Sequence, residues 1–299
     1  MRSIDASLPV SANSLSRTYG GGKGIVNVNF TLTPGTSLGL VGENGSGKST
    51  LLRCLLGLEA HEGQVQLFGR SPRDWRSLAG IAAGVLDGAA QHGGLRVGAC
   101  VKMTAALQGQ AWQDEAELLE MLGLPSVWGE RFGTLSLGWK QRLMIALALM
   151  SRPGLLLLDE PFNGLDVKAV ADLTKTLKQR QSEGLAVIIA SHHLDSVEEL
   201  CQDVMHLERG VVTMMRLGAQ QQDVSRPVLV VGLTLELATE LFTEVQMSVR
   251  IRESSHGLLI VGLSPQQING KCVEAGIVLT QLRYVGGELE HRLAANNTV

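Results

Sequence analysis

The stretch Gly42-Glu43-Asn44-Gly45-Ser46-Gly47-Lys48-Ser49-Thr50 fits the pattern G-x-x-x-x-G-K-[ST]. An apolar, strand-like run, residues 37–41, leads into it, and a helix-forming segment, residues 49–58, follows and stops near Gly57. That strand–loop–helix setting is what the pattern needs. Glycines let the backbone curl until successive N–H groups point inward at a phosphate, and the helix N-terminus adds positive potential. The reading puts Lys48 on the outer phosphates of a nucleotide and the Ser49 hydroxyl on Mg2+. Gly42, Asn44, Gly45, Ser46, Gly47 and Thr50 complete the cradle. A Gly-rich turn that merely joins strand to helix fits the nonapeptide alone but not its surroundings.

Downstream, four consecutive leucines, residues 155–158, mark a strand buried on both faces, and it ends on Asp159-Glu160. In an open α/β sheet ligands sit at the carboxyl ends of the strands. Asp159 is therefore placed to join the Mg2+ shell and Glu160 to polarise an attacking water. On its own, Asp-Glu after a strand is more often a solvated turn. The phosphate loop upstream in the same α/β unit gives it the functional reading.

Working outward, strands are expected at 14–18, 25–33, 37–41, 62–68, 84–86, 155–158 and 186–190. Helical periodicity dominates residues 97–150, with further helices at 167–181 and 196–201. Strands alternating with helices predict a parallel α/β sheet with an inserted helical segment. Composition shifts across 217–226, where Gly218 and Gln220 to Gln222 precede Pro227. Beyond it the order strand (228–233), helix (236–245), strands (248–252, 258–262), helix (265–275), strand (278–285) resembles a ferredoxin-like split βαβ domain. A last helix is expected at 288–294. The domains are thus read as 1–220, with the helical insertion at about 95–150, and 226–299, a small α+β accessory domain.

Composition narrows the function. A net charge of −3 and scattered Lys and Arg pairs leave no basic face, which argues against nucleic acid as a partner. No run of about 18 apolar residues occurs, so any link to a membrane is expected to pass through a partner. Cys54, Cys100, Cys201 and Cys272 are far apart with no CxxC pair, and read as buried, reduced thiols. Trp112, Trp128, Trp139, Met214 and Met215 read as core or interface residues.

With these segments in place, residues from about 12 to 215 resemble the ATP-binding cassette (ABC) ATPases, a branch of the P-loop NTPases. Leu135-Ser136-Leu137-Gly138-Trp139-Lys140-Gln141-Arg142 resembles the family signature LSGGQ-x-Q-R, with Ser136 and Gly138 kept and Leu137 and Trp139 departing from it. The resemblance implies that Ser136 and Gly138 face the terminal phosphate held by a second copy of the chain, two subunits enclosing two ATP molecules head to tail. It implies that Tyr19 stacks on adenine, that Asn163-Gly164-Leu165-Asp166 is the loop crossing the dimer interface, and that His192 after Ser191 contacts the γ-phosphate. His193 is the alternative if the register is shifted by one. Where the family carries a Gln near the Mg2+ site, this chain has Asp87, with Gln91 as the alternative occupant. Together these imply an ATPase using ATP and Mg2+, working as a dimer at the cytoplasmic face of the membrane with separate transmembrane permease subunits. The Leu-Asp-Gly and Leu-Gly-Trp variations resemble the ABC-2 exporter branch that handles antibiotics, peptides or polysaccharides. A soluble ABC ATPase acting on ribosomes or DNA is the alternative, disfavoured by the single cassette, the short interval from Lys48 to Ser136 and the acidic charge. Intact Lys48, Glu160 and His192 argue against a sensor that binds without turnover.

Overall fold

The computed structural model describes residues 8–20, 23–86, 92–192, 194–216, 227–243, 249–254, 257–263 and 265–284. The expectations at Asp87, Gln91 and His193, the linker 217–226 and the helix 288–294 fall outside them. The chain divides into two compact units, Met1–Leu217 and Gly218–Val299.

The first unit runs β1 (Val10–Thr18), β2 (Gly24–Leu32), β3 (Ser37–Val41), α1 (Lys48–Leu55), β4 (Glu62–Gln66), α2 (Trp75–Leu78), β5 (Ala82–Val85), α3 (Val97–Leu107), α4 (Ala116–Met121) and α5 (Leu137–Met150). It continues with β6 (Leu155–Asp159), α6 (Val167–Ser182), β7 (Ala186–Ala190), α7 (Leu194–Leu200), β8 (Asp203–Glu208) and β9 (Val211–Arg216). Two sheets result. Strands β2-β1-β4 pair antiparallel, and a six-stranded sheet has the order β5-β6-β7-β3-β8-β9, parallel except for β9.

The larger sheet follows from its composition. Leu155 to Leu158 and Ala186 to Ala190 are all fully buried, so both faces of β6 and β7 must be covered, which only helix-flanked parallel strands provide. At about 2 kcal/mol for each fully buried leucine, this pair of strands is a main contributor to hydrophobic stabilisation. Two features depart from the sequence reading. The strands at 14–18, 25–33 and 62–68 belong to the separate antiparallel sheet. Strands β8 and β9 were not anticipated, because the apolar run of β8 is interrupted by His206, which is itself buried.

The helical insertion is α3, α4 and α5, punctuated by 3-10 turns at Trp112–Glu115, Leu124–Val127 and Phe132–Thr134. Gly123 in the left-handed region and Pro125 at the start of a turn explain the break after α4. Helix α4 is tied to the sheet side by Glu115, 2% exposed, which accepts from Arg152 Nε at 2.8 Å and from Arg180 Nη2 at 2.9 Å.

The second unit is β10 (Val228–Val231), α8 (Leu235–Thr243), β11 (Arg250–Ser254), β12 (Gly257–Val261), α9 (Pro265–Glu274) and β13 (Gln281–Tyr284). Its antiparallel sheet has the order β11-β12-β10-β13, the split βαβ arrangement of a ferredoxin-like fold. Val228, Val230, Phe242, Ile260 and Ile268 fill its core with no exposed surface.

Candidate functional site

Three neighbouring strands of the larger sheet, β6, β7 and β3, deliver the site from their carboxyl ends. Leu40, Ala190 and Asp159 lie in one row across them. The next backbone links cross between strands as well: Ser191 N donates to Leu40 O at 3.1 Å and Glu160 N to Ala190 O at 2.7 Å. The phosphate loop, the two acids and His192 therefore start from a common, rigid edge.

The loop after β3 needs its glycines. Gly42 has φ 150° and Gly47 φ 117°, and a Cβ on either would strike backbone carbonyls, Leu207 O beside Gly42 and Gly24 O beside Gly47. At Gly45 a Cβ would meet nothing within 4 Å. Lys48, buried in the first turn of α1, donates to Gly42 O at 2.6 Å and Glu43 O at 3.1 Å. The buried Ser46 Oγ has no hydrogen-bond partner among the described residues. A glycine-curled loop, an unpartnered hydroxyl and an ammonium that, among the described residues, reaches its own loop's carbonyls suit an anion with several acceptor oxygens.

A cavity of about 360 Å3 is lined by Tyr19, Lys23, Gly24, Asn44, Gly45, Gly47, Lys48, Ser49, Thr50, Asp159 and Glu160. Its carboxylates are Asp159 and Glu160, and its ammonium groups Lys23 and Lys48. Lys23 and Gly24 were missed by sequence reasoning, although the run Gly20 to Gly24 with one lysine is the kind of segment that closes around phosphate. The donor set fits Mg2+: a hydroxyl (Ser49) and a buried carboxylate (Asp159) are hard oxygen ligands. This cation typically takes one or two carboxylates and completes its shell from phosphate and water. Among the described residues no cluster of three or more His, Cys, Asp or Glu side chains that could hold a metal occurs.

Glu160 sits at φ 48°, in the left-handed region that costs a non-glycine residue about 1 kcal/mol. The strained turn points its carboxylate at the next strand end, where Oε2 accepts from His192 Nδ1 at 2.8 Å and from His192 N at 3.3 Å. Because an ionised carboxylate only accepts, Nδ1 carries the proton. Tyr19, half-buried, lines the cavity and donates its hydroxyl to Glu59 Oε1 at 2.8 Å.

Ser136, Gly138 and Asp166 do not line this cavity. They form a second cluster in the same unit. Ser136 caps α5, its Oγ accepting from Trp139 N at 3.4 Å, and Asp166 caps α6, accepting from Ala169 N at 2.7 Å. A Cβ on Gly138 would land on Gly164 O, so the two loops pack backbone to backbone. Arg142 bridges the cluster, 3.7 Å from Asp166 Oδ1 and 4.5 Å above the Trp139 ring. Trp139 turns back toward Gly123, where a Cβ would lie 3.3 Å from the indole. Leu137 remains 61% exposed at the start of the helix.

Comparison with known proteins gives the family. A family model described as ABC transporter matches residues 25–163. The lantibiotic transport ATP-binding protein SrtF of Streptococcus pyogenes is 32% identical over 204 residues, covering 67% of this chain and 87% of that protein. The linearmycin resistance ATP-binding protein LnrL of Bacillus subtilis is 31% identical over 225 residues, covering 73% of this chain and 71% of that protein. A solved ATP binding subunit of an ABC transporter superposes with a TM-score of 0.64 at 24% identity, covering 70% of this chain and 90% of that one, a likeness of fold. The ribosome- or DNA-directed alternative is not favoured by these relatives. The chain belongs to the ATP-binding subunits of ABC transporters, ATPases of the P-loop class.

Proposed function

We propose that this chain is the motor of an exporter. It binds ATP between two copies arranged head to tail and passes the resulting motion to separate transmembrane subunits. The observation that carries the reading is the single cavity in which the phosphate loop faces Asp159 and Glu160, while Ser136, Gly138 and Asp166 lie outside it. A site split in this way is completed by the second cluster of another copy.

Within it, Lys48 and the loop N–H groups bind the phosphates, and Ser49 and Asp159 hold Mg2+, which neutralises phosphate charge when bound. Glu160 orients and polarises the attacking water. His192 fixes the Glu160 carboxylate and presents its other ring nitrogen to the nucleotide. Tyr19 supplies a face for the base, and Ser136 with the N-terminus of α5 approaches the partner's γ-phosphate. ATP binding thereby favours the closed pair and hydrolysis reopens it, a population shift set by differential affinity for the two states. Among the described residues no helix is long and apolar enough to cross a membrane. Attachment at the cytoplasmic face through the permease subunits is the arrangement we infer. Domain limits of 1–220 and 226–299 fit this scheme, with the second unit serving dimer contact or regulation. The exporter assignment rests on the chain's likeness to SrtF and LnrL.

The test is a pull-down of tagged Glu160→Gln protein with ATP from detergent-solubilised membranes. Recovery of a stoichiometric polytopic membrane protein supports the reading. Recovery of ribosomal or DNA-bound proteins without one overturns it.

A further inference from the structure

Tyr19 is held in a closed figure that the catalytic reading leaves unused. Its hydroxyl donates to Glu59 Oε1 at 2.8 Å, the Arg17 guanidinium lies 4.7 Å from its ring centroid, and Arg17 Nη2 stands 3.4 Å from Glu59 Oε2. The backbone joins in, since Tyr19 N donates to Lys23 O at 2.8 Å and closes the turn between β1 and β2. One ring face is thus occupied by a cation, and Tyr19 also lines the cavity. Glu59 follows α1, the helix that opens at Lys48, so the same carboxylate ties the aromatic platform to the element carrying the phosphate loop.

A free surface tyrosine must lose rotamer freedom when a base stacks on it, at a cost of about 1 kcal/mol. Here that freedom is already reduced, because the ring is held at its hydroxyl end by a charge-assisted hydrogen bond and on one face by a cation–π contact. We propose that Arg17 and Glu59 are positioning residues that pre-set the Tyr19 ring as the base-stacking platform. They would set affinity for the nucleoside part of ATP without touching the phosphate-binding groups. This rests on the reading of Tyr19 as the base contact.

The experiment uses the full chain and two ligands, ATP and inorganic tripolyphosphate, the second lacking the base. Equilibrium dissociation constants are measured for Arg17→Leu, Glu59→Gln, their double variant, Arg17→Lys, and Tyr19→Ala as reference, together with the KM and kcat of ATP hydrolysis. The expected result is an ATP Kd raised about threefold to tenfold in each single variant. The double variant should be no weaker than additivity, since both act on one ring. Arg17→Lys, which keeps a cation at that ring face, recovers part of the loss. Tripolyphosphate affinity and kcat stay within about twofold of the parent, the signature of a change in nucleotide binding rather than in chemistry. Equal weakening of tripolyphosphate would mean the residues act through the phosphate loop's fold, and would overturn the proposal. If Tyr19→Ala weakens ATP but Arg17→Leu and Glu59→Gln do not, the brace is wrong and the role of Tyr19 stands. If Tyr19→Ala itself leaves ATP affinity unchanged, the platform reading falls and the brace with it.

Discussion

Glu160 Oε2 accepts two hydrogen bonds from one residue, His192, through its ring Nδ1 at 2.8 Å and its backbone N at 3.3 Å. The ends of β6 and β7 are thereby joined across the groups that would perform hydrolysis. Removing the imidazole leaves the carboxylate with the backbone contact alone and frees its rotamer. His192→Ala is expected to lower kcat about 10- to 100-fold with KM for ATP changed far less, read by steady-state phosphate release.

Among the described residues Lys48 donates to carbonyls of its own loop, Gly42 O and Glu43 O, and it is a cavity ammonium that can turn to phosphate. In Lys48→Ala the dissociation constant for ATP should rise about 10- to 100-fold, the worth of a charge-assisted contact, in a titration followed calorimetrically. Unchanged affinity would remove Lys48 from the site.

Gly138 is pressed against Gly164 O, outside the cavity. A methyl group there must displace the start of α5 from the loop that ends at Asp166. Gly138→Ala should bind ATP normally as a single chain yet hydrolyse it about 10- to 100-fold more slowly, because a displacement of about 1 Å at a positioning element costs that much. A variant with normal turnover would show that this helix end takes no part in the reaction.

Glu115 is a buried anion held by two arginines from different elements. Glu115→Ala leaves Arg180, whose side chain is 20% exposed, with Glu183 Oε2 at 3.1 Å, while Arg152, 59% exposed, can return to water. The expected loss is roughly 2 kcal/mol, the worth of hydrogen bonds to a charged group whose donors keep other partners. It would be seen as a lowered melting temperature of the unit that contains α4 and α6.

Burial pushes the Cys54 thiol up from 9.0 to about 11 and the Cys201 thiol to about 12. Neither should react with a maleimide at pH 8 until the protein is unfolded. The unfolded chain loses these protons above pH 9 while the folded chain keeps them. This contribution to stability is therefore complete below pH 9 and is lost as the pH rises toward 11 and 12.

What the sequence made legible was what is local. The phosphate loop, Asp159 and Glu160, and His192 each sit directly after a short apolar strand, and the strand's burial dictates where the next residue goes. Ser136 and Asp166 prove in addition to cap α5 and α6. What escaped depends on distant pairing. The contact of Tyr19 with Glu59 spans 40 residues, and no pattern in either segment announces it. Strands β1, β2 and β4 read as members of one parallel sheet because alternation reveals a strand but not its partner. Strand β8 hid because a buried histidine broke its apolar run. The segment 97–150 showed its helical period but not its 3-10 breaks, which Gly123 and Pro125 impose through backbone geometry.

The most direct measurement is to mix purified Glu160→Gln protein with radiolabelled ATP and Mg2+, pass it over a sizing column with light scattering, and analyse the bound nucleotide. The account expects a particle of two chains carrying intact ATP, while the parent protein releases phosphate and elutes with little nucleotide. Phosphate release by Glu160→Gln at the parent's rate would contradict the assignment of Glu160. A single-chain particle with intact ATP would contradict the shared site.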